Sequence, residues 1–102
     1  MTNAVKSRLF VKLALKGIER INMNNLEKYV NAFVEGLGVD KDIVKPDLEY
    51  QAIAEWDSVG HMGLISALED TFDIMMETDD IIDLSSFEKG KEILATKYGI
   101  AF

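Results

Sequence analysis

Leu26, Tyr29, Val30, Phe33, Val34 and Leu37 follow one another at steps of three and four residues, the spacing that stacks side chains along one face of a helix. Asn24 stands before this run with Glu27 three residues on, so the two can close a capping box, and Gly38 is a natural C-terminal stop. The pattern predicts a helix over 25–37. Val59, Met62, Ile65, Leu68 and Phe72 keep the same spacing behind Asp57 and Ser58, both good N-cap types, and predict a second helix over about 58–72. Thr78 can cap a short third helix reaching Ile81 and Ile82. Ser85-Ser86-Phe87-Glu88 carries another capping-box sequence and opens a fourth helix with Phe87, Ile93, Leu94 and Tyr98, ending near Tyr98.

Residues 39–56 show no helical period and contain Pro46, which disfavours helix at Lys45. A structureless connection of this length is uncommon in a small domain, so Val39, Ile43, Val44, Leu48, Tyr50, Ile53 and Trp56 are expected to tether it to the core, with room for one short helical turn. No segment alternates with a period of two, and no Asn-Gly or Asp-Gly hairpin signal occurs. The expected class is all-α: an irregular four-helix bundle with a long loop between helices one and two.

Ahead of it, residues 1–23 form a separate basic, amphipathic extension, predicted as an extra N-terminal helix capped by Thr2 or Asn3. Val5, Leu9, Leu13 and Ile21 share its apolar side with Phe10, Ala14 and Ile18, and Lys12, Lys16 and Arg20 make a basic stripe. Five basic residues face one acid there, whereas residues 24–102 carry six basic residues against seventeen acids. That asymmetry favours a helix packed on the acidic domain or on a second copy as a homodimer, over a transit peptide or a helix lying on anionic lipid. The acidic part repels nucleic acid and anionic membrane and attracts basic partners. No apolar run approaches the roughly 20 residues that span a bilayer. With 48% hydrophobic and 28% charged residues the chain can build a core, and with no Cys it has no thiol or disulfide of its own.

The most informative stretch is Glu55-Trp56-Asp57-Ser58-Val59-Gly60-His61-Met62, with a Ser at the start of a helix after a long loop. Asp57 to Ile74, DSVGHMGLISALEDTFDI, resembles the acyl carrier protein signature, in which Asp-Ser-Leu opens the second helix and an apolar and acidic pattern ends in Glu-x-x-Phe. The resemblance runs through residues 24–98 in family order and leaves the N-terminal extension outside. It implies a cytoplasmic, non-catalytic carrier of the kind used in fatty-acid and other lipid biosynthesis. In such carriers the matching Ser, here Ser58, is esterified by 4′-phosphopantetheine from coenzyme A and carries acyl groups as thioesters. A helix N-terminus suits the phosphodiester, since its free amides and dipole favour an anion. The partners implied are a phosphopantetheinyl transferase and acyl-loading and acyl-using enzymes with basic docking patches, met by Asp57, Glu69, Asp70 and Asp73.

Ser58 could simply cap a helix within a non-modified interaction module that binds a partner protein. Ser58 and His61 could form a nucleophile pair, but a bundle this small has little room for the third group, oxyanion site and cleft of a hydrolase; His61 is expected half-exposed near the prosthetic arm. Asp73, Glu77, Asp79, Asp80 and Asp83 do not fit an EF-hand loop and read mostly as a solvated acidic face. Val59, Met62, Met75 and Met76 divide between core and contact surface, and Trp56 reads as a loop anchor. Val59 replaces the usual Leu, and Gly60 and Gly63 stand where housekeeping carriers commonly have acids, so the form looks more like stand-alone carriers of specialised pathways. Two Gly in one helix cost about 1 kcal/mol each relative to Ala.

Overall fold

The structure, a computed structural model, describes residues 23–102. The N-terminal helix, and its packing on this domain or on a second copy, lies outside the described residues. Among the described residues four α-helices follow in order: α1 (Asn25–Leu37), α2 (Ser58–Phe72), α3 (Thr78–Asp83) and α4 (Phe87–Tyr98). A 3-10 turn over Lys41–Ile43 is the short helical turn in the long loop. Among the described residues there is no strand, only an isolated antiparallel bridge between Glu49 and Ser86.

Local chemistry bounds α1 and α2 where the sequence predicts. Asn24 Oδ1 accepts from the Glu27 amide at 2.8 Å and the Asn24 amide donates to Glu27 Oε1 at 3.2 Å, a complete capping box. Gly38 closes α1 in the left-handed region at φ 70°. Asp57, not Ser58, caps α2, with Oδ1 2.8 Å from the Gly60 amide. The two later helices start one residue away from the predicted caps. Glu77 stands at the N-cap of α3, its amide donating to the Tyr98 hydroxyl at 2.9 Å, and Thr78 is already helical. Ser86 rather than Ser85 caps α4, because the Ser85 carbonyl is drawn to the loop by the Tyr50 amide at 2.9 Å. Glu88 then falls one position short of returning a bond.

The loop is packed: Val44 and Leu48 are buried and Trp56 is fully enclosed, although Ile43, expected as a tether, is exposed. The Leu48 carbonyl accepts from the Phe87 amide at 2.9 Å, so loop and α4 satisfy each other's backbone. Phe33 meets the Trp56 ring edge-on at 5.3 Å and Tyr29 at 5.0 Å. The Tyr29 hydroxyl donates to the Phe87 carbonyl at 2.7 Å, and burial pushes its pKa far above the ordinary tyrosine range.

The inward faces of the helices differ from the sequence reading at several positions. Val59 and Met62 are 81% and 56% exposed, while Leu64 is fully buried beside Ile65 and Leu68. Leu26 is likewise exposed and Ala32 fully buried. The phase of α2 follows from its contact with α1: a Cβ on Gly63 would lie 2.6 Å from the Gly36 carbonyl oxygen, and one on Gly36 2.6 Å from Leu64 Cα. The helices can approach this closely only with both glycines at the crossing. Gly60 has the same kind of role, since a Cβ there would collide with the Glu55 carbonyl oxygen. These glycines are thus required by packing as well as costly to helix propensity.

Candidate functional site

α2 begins at Ser58, which is exposed. Of the four amides that open the helix, that of Gly60 is taken by the Asp57 side chain and that of His61 donates to the Asp57 carbonyl at 2.8 Å. The Ser58 and Val59 amides have no partner among the described residues. The cap on Asp57 leaves the Ser58 hydroxyl free of that duty; its nearest polar neighbour is the Tyr50 hydroxyl at 3.5 Å, beyond good hydrogen-bond length.

Behind Ser58, His61 is half-buried and spoken for on both sides. Trp56 Nε1 is only a donor, so the His61 Nδ1 that it meets at 2.9 Å accepts; the Ile81 carbonyl is only an acceptor, so His61 Nε2, 2.7 Å away, carries the proton. This fixes the neutral Nε2–H tautomer. With its basic lone pair occupied by Trp56, His61 is not a general base for Ser58, and the two do not form a nucleophile pair. Trp56 is the expected loop anchor, and its indole also orients the imidazole.

A cavity of about 420 Å³ opens beside Ser58, walled by Tyr50, His61, Met62, Ile81, Ile82 and Leu84. Its lining is largely apolar, since the imidazole nitrogens and the Ile81 carbonyl are consumed by one another. Met62 and Ile82 in its lining are exposed, as is Val59 next to Ser58 in the chain, and Met75 is exposed while Met76 is buried. The sequence pattern does not mark Tyr50 or the Ile81–Ile82 wall for the site. Tyr50 lies in an aperiodic loop, and α3 meets α2 only in three dimensions.

The four acids read as a docking face have different surroundings. Asp70 and Asp73 are exposed, Asp57 is the helix cap, and Glu69 Oε2 accepts from the Met76 amide at 2.9 Å. Asp80, read with the solvated acids, is instead 4% exposed. Its Oδ2 accepts from the Tyr98 hydroxyl at 2.7 Å and Lys97 Nζ lies 2.9 Å from Oδ1, which ties α3 to the end of α4. The Tyr98 hydrogen bond, followed by Lys97, holds the Asp80 carboxyl below the ordinary aspartate range.

No family model matches the chain. Two curated proteins, both named acyl carrier protein, are similar to it over most of its length. One, from Chlorobium phaeobacteroides, is 28% identical over 71 residues, covering 70% of this chain and 91% of the relative. The other, from Picosynechococcus sp., is 29% identical over 79 residues, covering 78% of this chain and 98% of the relative. The all-helical order, the long packed loop and the Asp-Ser helix start agree with that likeness. In sequence and in the order of its helices the chain is thus similar to acyl carrier proteins over most of its length.

Proposed function

We propose that this protein is an acyl carrier whose Ser58 bears a covalent 4′-phosphopantetheine arm, serving a specialised biosynthetic pathway in the cytoplasm. The observation that carries the reading is the position of Ser58: exposed, first in α2, next to two unpartnered amides and at the mouth of an apolar cavity. Those amides and the positive end of the helix suit an anionic phosphodiester on the Ser58 oxygen. Bound there, the group supplies the thiol that the chain lacks and holds an acyl group as a thioester. Asp57 keeps the first turn of α2 closed, so that modification of Ser58 costs the helix no cap. The cavity gives the apolar end of a cargo a place out of water.

Two features support a specialised pathway. The first turn of α2 contains no acid, and Gly60 and Gly63 are held to small size by backbone contacts, which thins the negative field around Ser58. The exposed acids Asp70 and Asp73, with the exposed apolar side chains of Val59, Met62 and Ile82, suit partner enzymes that present Arg and Lys beside an apolar patch.

Intact mass after incubation with coenzyme A and a broad phosphopantetheinyl transferase tests this directly. A single phosphopantetheinyl addition, lost in Ser58→Ala, is expected. No addition would leave the non-modified interaction module, and labelling retained in the variant would move the site elsewhere.

A further inference from the structure

Among the groups lining the cavity, His61 is the one whose position is over-determined. α3 is a six-residue helix, and its C-terminal carbonyls have few partners within the helix itself. The Asp80 carbonyl is answered by the Leu84 amide at 3.1 Å, whereas the Ile81 carbonyl is answered from another element, by His61 Nε2. On its other side the imidazole is fixed by the indole of a fully buried Trp56, and the Tyr50 ring meets it edge-on at 5.6 Å. His61 therefore sits as a strut between the base of the loop and α3, and sets how far the Ile81–Ile82 wall stands from α2. With both nitrogens committed, the ring turns only carbon toward the cavity, so the strut is also an apolar surface.

We propose that His61 is the specificity-determining residue of the cavity, limiting its size so that an apolar acyl group is sheltered up to a set length and a longer one is left with its end in water. The proposal rests on Ser58 being the attachment site. Replacing the strut with a small side chain removes the ring from the lining and frees the Ile81 carbonyl, so the cavity gains room next to Ser58. The residue acts on the cargo through the volume it occupies and through α3, and takes no part in forming or breaking the thioester.

The test uses the full chain loaded at Ser58 from acyl-coenzyme A donors of increasing length, from acetyl to decanoyl, with loading checked by intact mass and the melting temperature measured for each. In the native protein the melting temperature is expected to rise with each added methylene while the chain is still entering the cavity, then to level off. In His61→Ala the levelling point is expected to move to a chain longer by about two methylene units, roughly what the vacated ring space holds. His61→Asn, which keeps an amide donor on a side chain clearly smaller than the imidazole, is expected to shift it in the same direction by a smaller amount and covers the case in which the alanine variant does not fold. Loading with an unchanged levelling point in whichever variant folds would overturn the role of His61. Absence of loading in the native protein would overturn the attachment site itself, so the two failures are read from different measurements.

Discussion

Gly36 and Gly63 meet backbone to backbone where α1 crosses α2, with the Gly36 carbonyl oxygen 2.6 Å from where a Cβ of Gly63 would stand. A glycine inside a helix normally costs about 1 kcal/mol relative to alanine, so Gly63→Ala would stabilise a helix with a free surface there. The crossing reverses the sign. The atom in the way is backbone, and relief requires the helices to move apart and loosen Phe33 and Leu64. Gly63→Ala is expected to lose about 1 to 3 kcal/mol, the range for overpacking a tight core. Urea denaturation of the variant checks this; a gain in stability would show that the crossing is looser than described.

Phe33 and Leu68 are both fully buried, on the facing sides of α1 and α2. Truncation of either to alanine is expected to cost about 2 to 5 kcal/mol, from lost burial and the cavity left behind. Val59→Ala serves as the control: at 81% exposure it is expected to change stability by no more than about 0.5 kcal/mol. Denaturant midpoints for the three variants would separate the buried face of α2 from its exposed one.

The Asp80 cluster should make stability depend on pH in a predictable direction. The Asp80 carboxyl has its pKa lowered on folding, so its contribution is fully present above the ordinary aspartate value of about 3.9 and is lost as pH falls through the lowered value. Tyr98→Phe removes the hydroxyl that is the largest cause of that lowering. The variant is expected to be less stable than the native chain at neutral pH, with the gap narrowing below about pH 4 to what the lost Glu77 amide bond leaves. On the alkaline side the Tyr98 hydroxyl is raised, first by burial and then by Asp80, so its contribution is present below the ordinary tyrosine value of about 10 and lost as pH rises through the raised one. Thermal melts of both proteins across pH would show a constant gap if Asp80 were an ordinary surface acid.

Asp73 ends α2 in the left-handed region at φ 54°, with its carboxylate at the negative end of the helix dipole. Both circumstances disfavour it. Asp73→Asn tolerates the same backbone without the charge and is expected to raise stability by about 0.3 to 1 kcal/mol at low salt, with the gain fading as salt is added. Loss of stability in this variant would indicate that the carboxylate has a partner.

Local chemistry is what the amino-acid sequence determines here. The bounds of α1 and α2 are legible because Asn24, Glu27, Asp57 and the periodic apolar positions act within one or two turns of chain, and Gly38 can end a helix by itself. The Asp-Ser start is legible for the same reason, as it needs nothing beyond its own helix. What tertiary structure alone decides is everything that depends on a distant partner. α2 is rotated by a glycine crossing, so Leu64 turns inward while Val59 and Met62 face solvent, although periodicity cannot tell these phases apart in a helix apolar on more than one side. The starts of α3 and α4 move by one residue because Tyr98 and Tyr50 reach them from elsewhere in the fold. His61 gains its tautomer from Trp56 and Ile81, and Asp80 gains its burial from Tyr98 and Lys97. A side chain's type is written in the chain, but which groups satisfy it is settled only when helices far apart in sequence close over it.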